Sequence, residues 1–287
     1  MPSSPRSLSF VLLFVSLASA GCFSIPQPDA ADEQLAALPR LSHSFFVDSS
    51  GEEQDRRTVV ARQGGEPSVP RRIIYVHGTP GDATAWADFL IEPIAGTESV
   101  AIDRPGFGES DRRALPPLAD QVRAIEPFLT EGEDGWPILV GHSLGGPIIA
   151  LAAAEYPERV GGIVIIAGSL DPGLEKRRWY NYVAPLFYWM IPQALVRANQ
   201  EIWPLRGDLE ELEERLDEVT CPVLIIHGRE DDLVPFANVP FMTERFTAAT
   251  SVEVLPFDDV GHFLIWVEPW ESEIREALAR FSRPTGR

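Results

Sequence analysis

Short apolar runs alternate with helical patterns along most of the chain. The runs are rich in Val and Ile, are bounded by Gly, Pro or Asp, and occupy residues 71–78, 98–103, 136–143, 159–168, 221–228 and 251–257. Their apolar positions are continuous, which is typical of strands covered on both faces of a parallel sheet. Helical patterns lie between them at residues 83–95, 117–130, 145–155, 235–247 and 266–282. This alternation predicts an α/β fold with a mostly parallel, doubly wound sheet flanked by helices.

Two segments depart from the alternation. The runs SHSFFVD and RTVVARQ precede every predicted helix and predict an antiparallel hairpin at the sheet edge. Later, about 50 residues separate the strand ending near Gly168 from the strand beginning at Cys221, far more than the roughly 12 that an ordinary crossover needs. Seven aromatic residues lie between positions 170 and 205. We expect a small helical cap at about residues 170–217; the alternative is that these aromatics only pack the insertion onto the body.

The N-terminus has the order of a secretory signal. Arg6 precedes the apolar run LSFVLLFVSLASA, which is too short to span a bilayer, and small residues follow. The ending SAGC resembles a bacterial lipoprotein signal and implies that Cys22 becomes the lipidated first residue, although Ser19 stands where a leucine is usual. The alternative is simple cleavage after Ala20. We expect a signal peptide at 1–21, a tether at 22–42, a single folded domain at 43–287, and an exported protein that meets the membrane only through its N-terminal lipid.

Composition narrows the possible partners. The chain has 287 residues, of which 45% are hydrophobic, enough for one sizeable core. Its net charge of −19 disfavours nucleic acid and anionic membrane surfaces as partners. Apart from Cys22 there is one cysteine, Cys221, which we interpret as a small buried apolar residue at the start of a strand.

A single serine stands where an apolar strand turns into a helix. The segment Gly-His-Ser-Leu-Gly-Gly surrounds Ser143 with Gly141, Gly145 and Gly146, which let the strand and helix approach closely. Such a turn holds the hydroxyl out at the carboxyl edge of the sheet, above a helix N-terminus that favours developing negative charge. The pattern predicts a nucleophile elbow with Ser143 as nucleophile; the alternative is a serine that merely packs in a tight turn.

A serine hydroxyl needs a base, and the base needs an orienting acid. His262 lies between the last strand and the last helix, at the sheet edge expected for Ser143, and is the candidate base. The segment HGREDDLVP offers Asp231 and Asp232 as acids in the order Ser, Asp, His. Asp171, after the preceding strand, is a third possibility. The remaining histidines are expected to be structural: His43, His77, His142 and His227.

Together these segments resemble the α/β-hydrolase family, in its single-domain esterase, epoxide-hydrolase and dehalogenase branch, over residues 70–282. In that family the acid stands three residues after the glycine that ends the strand and is succeeded by Val-Pro. Counting from Gly228, the resemblance implies Asp231 rather than Asp232. The segment VHGTPGD resembles the family's His-Gly-X-Pro loop and implies that the backbone amides of Thr79 and Leu144 form an oxyanion hole. The segment DRPGFGES matches another family loop, and it implies that Asp103 and Arg104 tie loops together.

Serine at position 143 narrows the chemistry. Dehalogenases and epoxide hydrolases of this family use an aspartate there, so the resemblance implies attack on a carbonyl. We expect a serine hydrolase that cleaves a small to medium carboxylic ester through an acyl-enzyme. A cofactor-free perhydrolase, an acyltransferase and a C–C bond hydrolase would use the same triad, and a non-catalytic binding module stays open. This chemistry needs no metal or organic cofactor, and no phosphate loop or ligand-spaced Cys/His cluster predicts one.

Overall fold

The computed structural model describes residues 32–47, 55–65 and 71–282. Its eight strands are β1 (Arg40–Val47), β2 (Asp55–Gly64), β3 (Arg71–Val76), β4 (Thr97–Asp103), β5 (Ile138–His142), β6 (Gly162–Ile166), β7 (Val223–Gly228) and β8 (Val252–Phe257). They form one sheet in the order β1-β2-β4-β3-β5-β6-β7-β8. The pairs β1–β2 and β2–β4 are antiparallel, and the pairs among β3 to β8 are parallel. The predicted α/β architecture is confirmed.

Helices cover both faces of this sheet. They are α1 (Asp32–Ala37), α2 (Ala87–Ile91), α3 (Leu118–Ile125), α4 (Gly145–Glu155), α5 (Trp179–Val183), α6 (Gln193–Glu213), α7 (Asn238–Arg245) and α8 (Trp270–Phe281). Helices α3 and α4 contribute to the core on one face, and α2 and α8 to the core on the other. Every residue of β4, β5, β6 and β7 is buried, which is why those strands read as continuous apolar runs.

The predicted hairpin is confirmed: β1 and β2 pair antiparallel at one edge of the sheet, and β2 joins the hairpin to β4. The expected tether at 22–42 ends too late, because α1 lies within it and β1 begins in it. Leu35 is buried in the core, and the Arg62 guanidinium donates to its carbonyl oxygen at 3.1 Å. These contacts order the chain before residue 43. The signal peptide, Cys22 and residues 23–31 lie outside the described residues.

The segment between β6 and β7 contains two helices. Helix α5 is short and is followed by a 3₁₀ turn at Ala184–Phe187, whereas α6 has 21 residues. Buried asparagines join them: Asn181 Nδ2 donates to Asn199 Oδ1 at 2.7 Å, and Asn199 Nδ2 donates to the carbonyl oxygen of Asn181 at 3.2 Å. In the described part of the chain, no helix has the length and apolarity needed to cross a membrane.

Candidate active site

Ser143 sits at the turn between β5 and α4. Its φ of 55° lies in the left-handed region, where few residues other than glycine occur. Two hydrogen bonds hold this backbone: Ser143 N–H donates to Ile166 O at 3.0 Å, and Ser143 O accepts from Gly146 N–H at 2.9 Å. A strained residue fixed between the end of a strand and the start of a helix has the geometry of a nucleophile elbow.

Steric crowding explains why the positions around Ser143 are glycines. A Cβ on Gly145 would lie 2.3 Å from Val76 O, and one on Gly141 would lie 2.4 Å from Gly145 O. A Cβ on Gly78 would lie 2.8 Å from the Cβ of Ser143. These distances leave no room for side chains. They also place the loop after β3, which carries Thr79, directly against the serine.

His262 and Asp231 form a buried pair at the same sheet edge. His262 Nδ1 lies 2.7 Å from Asp231 Oδ2, and both side chains are buried. The other Asp231 oxygen accepts the N–H groups of Leu233 at 2.9 Å and Val234 at 2.8 Å, which fixes the carboxylate. An ionised carboxylate accepts, so Nδ1 carries the proton and Nε2 is left as the basic nitrogen. Asp232, the neighbouring candidate acid, is exposed.

His142 links this pair to the elbow. It immediately precedes Ser143, its Nε2 lies 3.0 Å from His262 O, and the two imidazole rings are 4.8 Å apart. Burial, with a smaller contribution from the neighbouring His262, lowers the pKa of His142 to about 3. The ring is therefore neutral at pH 7, and its Nε2–H donates to the backbone of His262. Sequence reasoning regarded His142 as structural but could not show that it supports the candidate base.

The two amides expected to form the oxyanion hole are available. Leu144 directly follows Ser143 at the start of α4, and Thr79 follows Gly78. In the described part of the chain, neither backbone N–H donates to a protein acceptor. Amides next to a nucleophile that lack an internal partner can donate to a substrate oxygen.

Arg104 ties the loop after β3 to helix α6. Its guanidinium donates to His77 O at 3.0 Å and Gly78 O at 2.8 Å, and it forms a buried bidentate pair with Glu201 at 2.5 and 3.2 Å. Gln121 also donates to Glu201, at 2.9 Å. Sequence reasoning expected Arg104 to tie loops together but missed Glu201. In the sequence, Glu201 could have been noticed only as a carboxylate followed by the apolar residues Ile202 and Trp203.

Asp103 supports the same loops from the other side. Its two oxygens accept the N–H groups of Ala83 at 2.7 Å and Glu109 at 2.8 Å. Burial raises its pKa to about 6, against the lowering effect of these hydrogen bonds. The carboxylate thus joins the loops after β3 and β4, as the resemblance implied.

The other histidines and the alternative acid form hydrogen bonds with nearby backbone groups. His77 Nε2 accepts from Arg104 N–H at 3.1 Å, and burial holds the pKa of this imidazole well below its usual value. His227 Nε2 donates to Val234 O at 2.9 Å, and burial lowers its pKa. Asp171 accepts from Gly173 N–H at 2.7 Å.

Two further residues lie away from the candidate site. Cys221 is buried, which raises the pKa of its thiol to about 12. His43 is exposed on β1.

A cavity of about 240 Å³ lies between the insertion and the loop that carries Asp231. Its walls include Tyr180 and Ile202 on one side and Leu233 and Pro235 on the other. Ser143 and His262 are not among the lining residues, so this cavity adjoins the candidate acid rather than the nucleophile. In the described ranges, no three His, Cys, Asp or Glu side chains are grouped so that they could hold a metal ion.

Comparison with known proteins agrees with this architecture. A family model for the α/β hydrolase fold matches residues 71–201. The chain has the α/β-hydrolase fold. Among solved structures with this fold, the Paleococcus ferrophilus monoacylglycerol lipase has a TM-score of 0.64 at 19% identity, covering 78% of this chain and 97% of that chain. At that identity the likeness shows the fold alone.

Curated relatives of this chain are named for several activities. The pimeloyl-[acyl-carrier protein] methyl ester esterase of Aeromonas hydrophila is 26% identical over 63% of this chain and 85% of its own length. The dihydrolipoyllysine-residue acetyltransferase component of the acetoin cleaving system of Cupriavidus necator is 26% identical over 84% of this chain and 68% of its own length. The family match and the hydrolases among the relatives support an α/β-hydrolase family and a hydrolase activity.

Proposed function

We propose that this hydrolase cleaves carboxylic esters with Ser143 as nucleophile, His262 as base and Asp231 as orienting acid. The observation that carries the proposal is the buried 2.7 Å contact between His262 Nδ1 and Asp231 Oδ2. His262 also contacts His142, the residue before a serine held at φ 55° in a strand-to-helix turn. A base fixed by a carboxylate and a serine fixed by backbone strain are the two parts that acyl transfer requires.

In the proposed reaction, His262 Nε2 accepts the proton of the Ser143 hydroxyl as its oxygen attacks the ester carbonyl. The amides of Thr79 and Leu144 donate to the oxyanion that develops. His262 then gives the proton to the leaving alcohol, which departs and leaves an acyl group on Ser143. A water molecule, deprotonated by the same imidazole, hydrolyses this acyl-enzyme and restores the serine.

One observation favours esters over other carbonyl compounds: the Aeromonas hydrophila relative is named for methyl ester hydrolysis. We propose a small to medium ester with an apolar part, because the aromatic insertion between β6 and β7 adjoins the loop that carries Asp231.

Fluorophosphonate labelling tests the nucleophile. We expect the purified protein to be labelled on Ser143, Ser143→Ala to lose the label, and His262→Ala to react at least about a thousandfold more slowly. Ser169→Ala is the matched control, since Ser169 also follows a strand of the sheet but its hydroxyl is bonded to Glu175 at 3.2 Å. A folded wild-type protein that stays unlabelled would contradict the proposal and favour a non-catalytic binding module.

The acceptor of the acyl group distinguishes the second candidate. The Cupriavidus necator relative is named as an acetyltransferase, and an acyl-enzyme on the same triad can react with an alcohol or peroxide instead of water. Supplying p-nitrophenyl esters of increasing chain length with each acceptor gives the product ratio directly. We expect the free acid to predominate; a predominant new ester or peracid would replace hydrolysis with acyl transfer.

We also propose that the chain is exported and lipidated at Cys22. The support is the order of Arg6, the apolar run and SAGC in the sequence. Mass spectrometry of the mature N-terminus tests this proposal. A lipid-modified Cys22 is expected, and a free N-terminus at residue 21 would overturn lipidation while keeping export.

A further inference from the structure

The insertion exposes its apolar side chains. In the described part of the chain, twelve large hydrophobic side chains are exposed, and eight of them lie between residues 179 and 190: Trp179, Tyr180, Tyr182, Val183, Leu186, Phe187, Trp189 and Met190. Trp189 is 81% exposed and Leu186 is 71% exposed. Scattered exposed apolar residues are ordinary, but a contiguous group marks a surface that something else covers.

The inside of this segment is polar. Asn181 is the buried residue of α5 and is hydrogen-bonded to Asn199, whereas Trp179 and Tyr182 are 59% and 56% exposed. A helix on a water-facing surface normally has the opposite arrangement, with its apolar side turned inward. The hydrogen bonds of the buried asparagine therefore fix the orientation of α5. In this orientation its aromatic side chains point into solvent.

The charge of the segment is opposite to that of the chain. Residues 176–190, the cap segment, contain Lys176, Arg177 and Arg178 and no acidic residue, whereas the whole chain carries −19. All three cations are exposed, and the Arg177 guanidinium donates to Trp203 O and lies over the Trp203 ring. At physiological ionic strength the charges elsewhere are screened beyond about 8 Å. A partner in contact with the cap segment therefore meets a positive surface despite the negative total.

We propose that the cap segment docks on a phospholipid membrane surface, with its aromatic and aliphatic side chains in the interface and Lys176–Arg178 at the headgroups. Trp, Tyr and flanking Lys or Arg are the residues that concentrate at membrane–water interfaces. Interfaces between proteins are also rich in aromatic residues, Met and Arg, so the oligomeric state is measured below as the competing outcome. This docking is independent of the reaction proposed for Ser143.

The docking surface adjoins the candidate site. Arg178 and Tyr180 line the 240 Å³ cavity together with Leu233 of the loop that carries Asp231. A membrane in contact with the cap segment would therefore lie next to residues that line this cavity. The sequence adds a second contact, because the ten residues from Cys22 to Asp32 reach at most about 35 Å when extended and would keep a lipidated protein near the bilayer.

Tryptophan quenching by brominated phospholipids tests the docking in the full-length protein. Residues 1–31 contain no tryptophan, so the readout does not detect the N-terminus itself. With vesicles of phosphatidylcholine and phosphatidylglycerol, we expect wild-type emission to fall when the lipids are brominated. In Trp179→Phe/Trp189→Phe the quenched fraction should fall at least twofold. Trp136→Phe, a replacement outside the insertion, is the matched control and should keep the wild-type quenching.

A charge variant separates lipid from other partners. Lys176→Glu/Arg178→Glu should weaken vesicle affinity at least tenfold, since each cation near an anionic surface contributes several-fold. Fluorophosphonate labelling of the wild type in solution reports separately on Ser143. Absence of quenching in the wild type, or equal quenching in Trp179→Phe/Trp189→Phe and Trp136→Phe, would overturn the proposal. So would a wild-type dimer that becomes a monomer in Leu186→Ser/Trp189→Ser with vesicle binding unaltered.

Discussion

The carboxyl edge of the sheet and the cap segment differ in which side chains they bury and in whether those side chains have partners within the chain. At the sheet edge the side chains that hold the candidate base are buried and hydrogen-bonded: Asp231 accepts from His262 and two backbone amides, and His142 donates to the backbone of His262. In the cap segment Asn181 is buried and the tryptophans face outward. The support of the candidate base is complete within the chain, as preorganisation requires. The cap segment instead leaves apolar side chains in water, which indicates that another surface covers them.

The largest expected effect tests whether one buried carboxylate orients the base. Asp231→Asn keeps the shape but cannot hold the His262 tautomer, so kcat for an ester should fall by about 10⁴-fold. Asp232→Asn is the matched control, because Asp232 is the next residue and is exposed; its kcat should stay within about twofold of wild type. Steady-state kinetics on a p-nitrophenyl ester measures both. If Asp232→Asn suffers the larger loss, the assignment of the acid is wrong.

The sheet could be predicted from sequence because a strand that is buried on both faces has apolar residues at consecutive positions. Strands β4 to β7 lie within one to three residues of the runs that predicted them. The edge hairpin was also predicted, because its two strands precede every predicted helix, but its attachment to β4 through β2 is a long-range pairing that period and composition do not encode. Helix α1 was missed because six residues between Asp and Pro resemble a linker, and long-range contacts such as the burial of Leu35 order it.

The site was predictable to the level of loops. A serine among glycines between a strand and a helix has a local cause, as the contacts of Gly141 and Gly145 demonstrate. The supporting partners are not local: Glu201 pairs with Arg104, 97 positions away, and His142 bonds to His262, 120 positions away. The outward aromatic face of the cap segment also stayed hidden, since seven clustered aromatics are equally compatible with packing and with exposure.

A smaller effect compares two ion pairs on helix α6. Glu201 is buried with Arg104, whereas Glu210 and Arg206 are each more than half exposed. Glu201→Gln leaves a buried guanidinium without its counter-charge and should lower the free energy of unfolding by about 3–5 kcal/mol. Glu210→Gln should change it by less than about 0.5 kcal/mol. Urea unfolding measures both. Equal small losses would mean that the cap is not tied to the sheet through Arg104.

The smallest effect concerns acid stability at the sheet edge. Burial lowers the pKa of His142 to about 3 in the folded state, against about 6.5 in the unfolded chain. Between these values only the unfolded chain binds the proton, so the stabilising contribution is present above pH 6.5 and is lost as the pH falls toward 3. His142→Gln removes this dependence. From about pH 7.5 to pH 5, the difference in free energy of unfolding between wild type and variant should therefore shift by about 2 kcal/mol, in the direction that favours the variant.

Urea unfolding at a series of pH values measures this shift. His43→Gln is the matched control, because it removes one histidine from an exposed position on β1 and leaves the buried contacts of the site intact. Asp103, whose pKa is raised to about 6, acts in the opposite direction between pH 4 and 6, so the difference between variants is informative where the wild-type curve alone is not. Parallel curves for wild type and His142→Gln would mean that His142 can gain a proton without disrupting its bond to His262, and the sheet edge would then be less rigid than its contacts indicate.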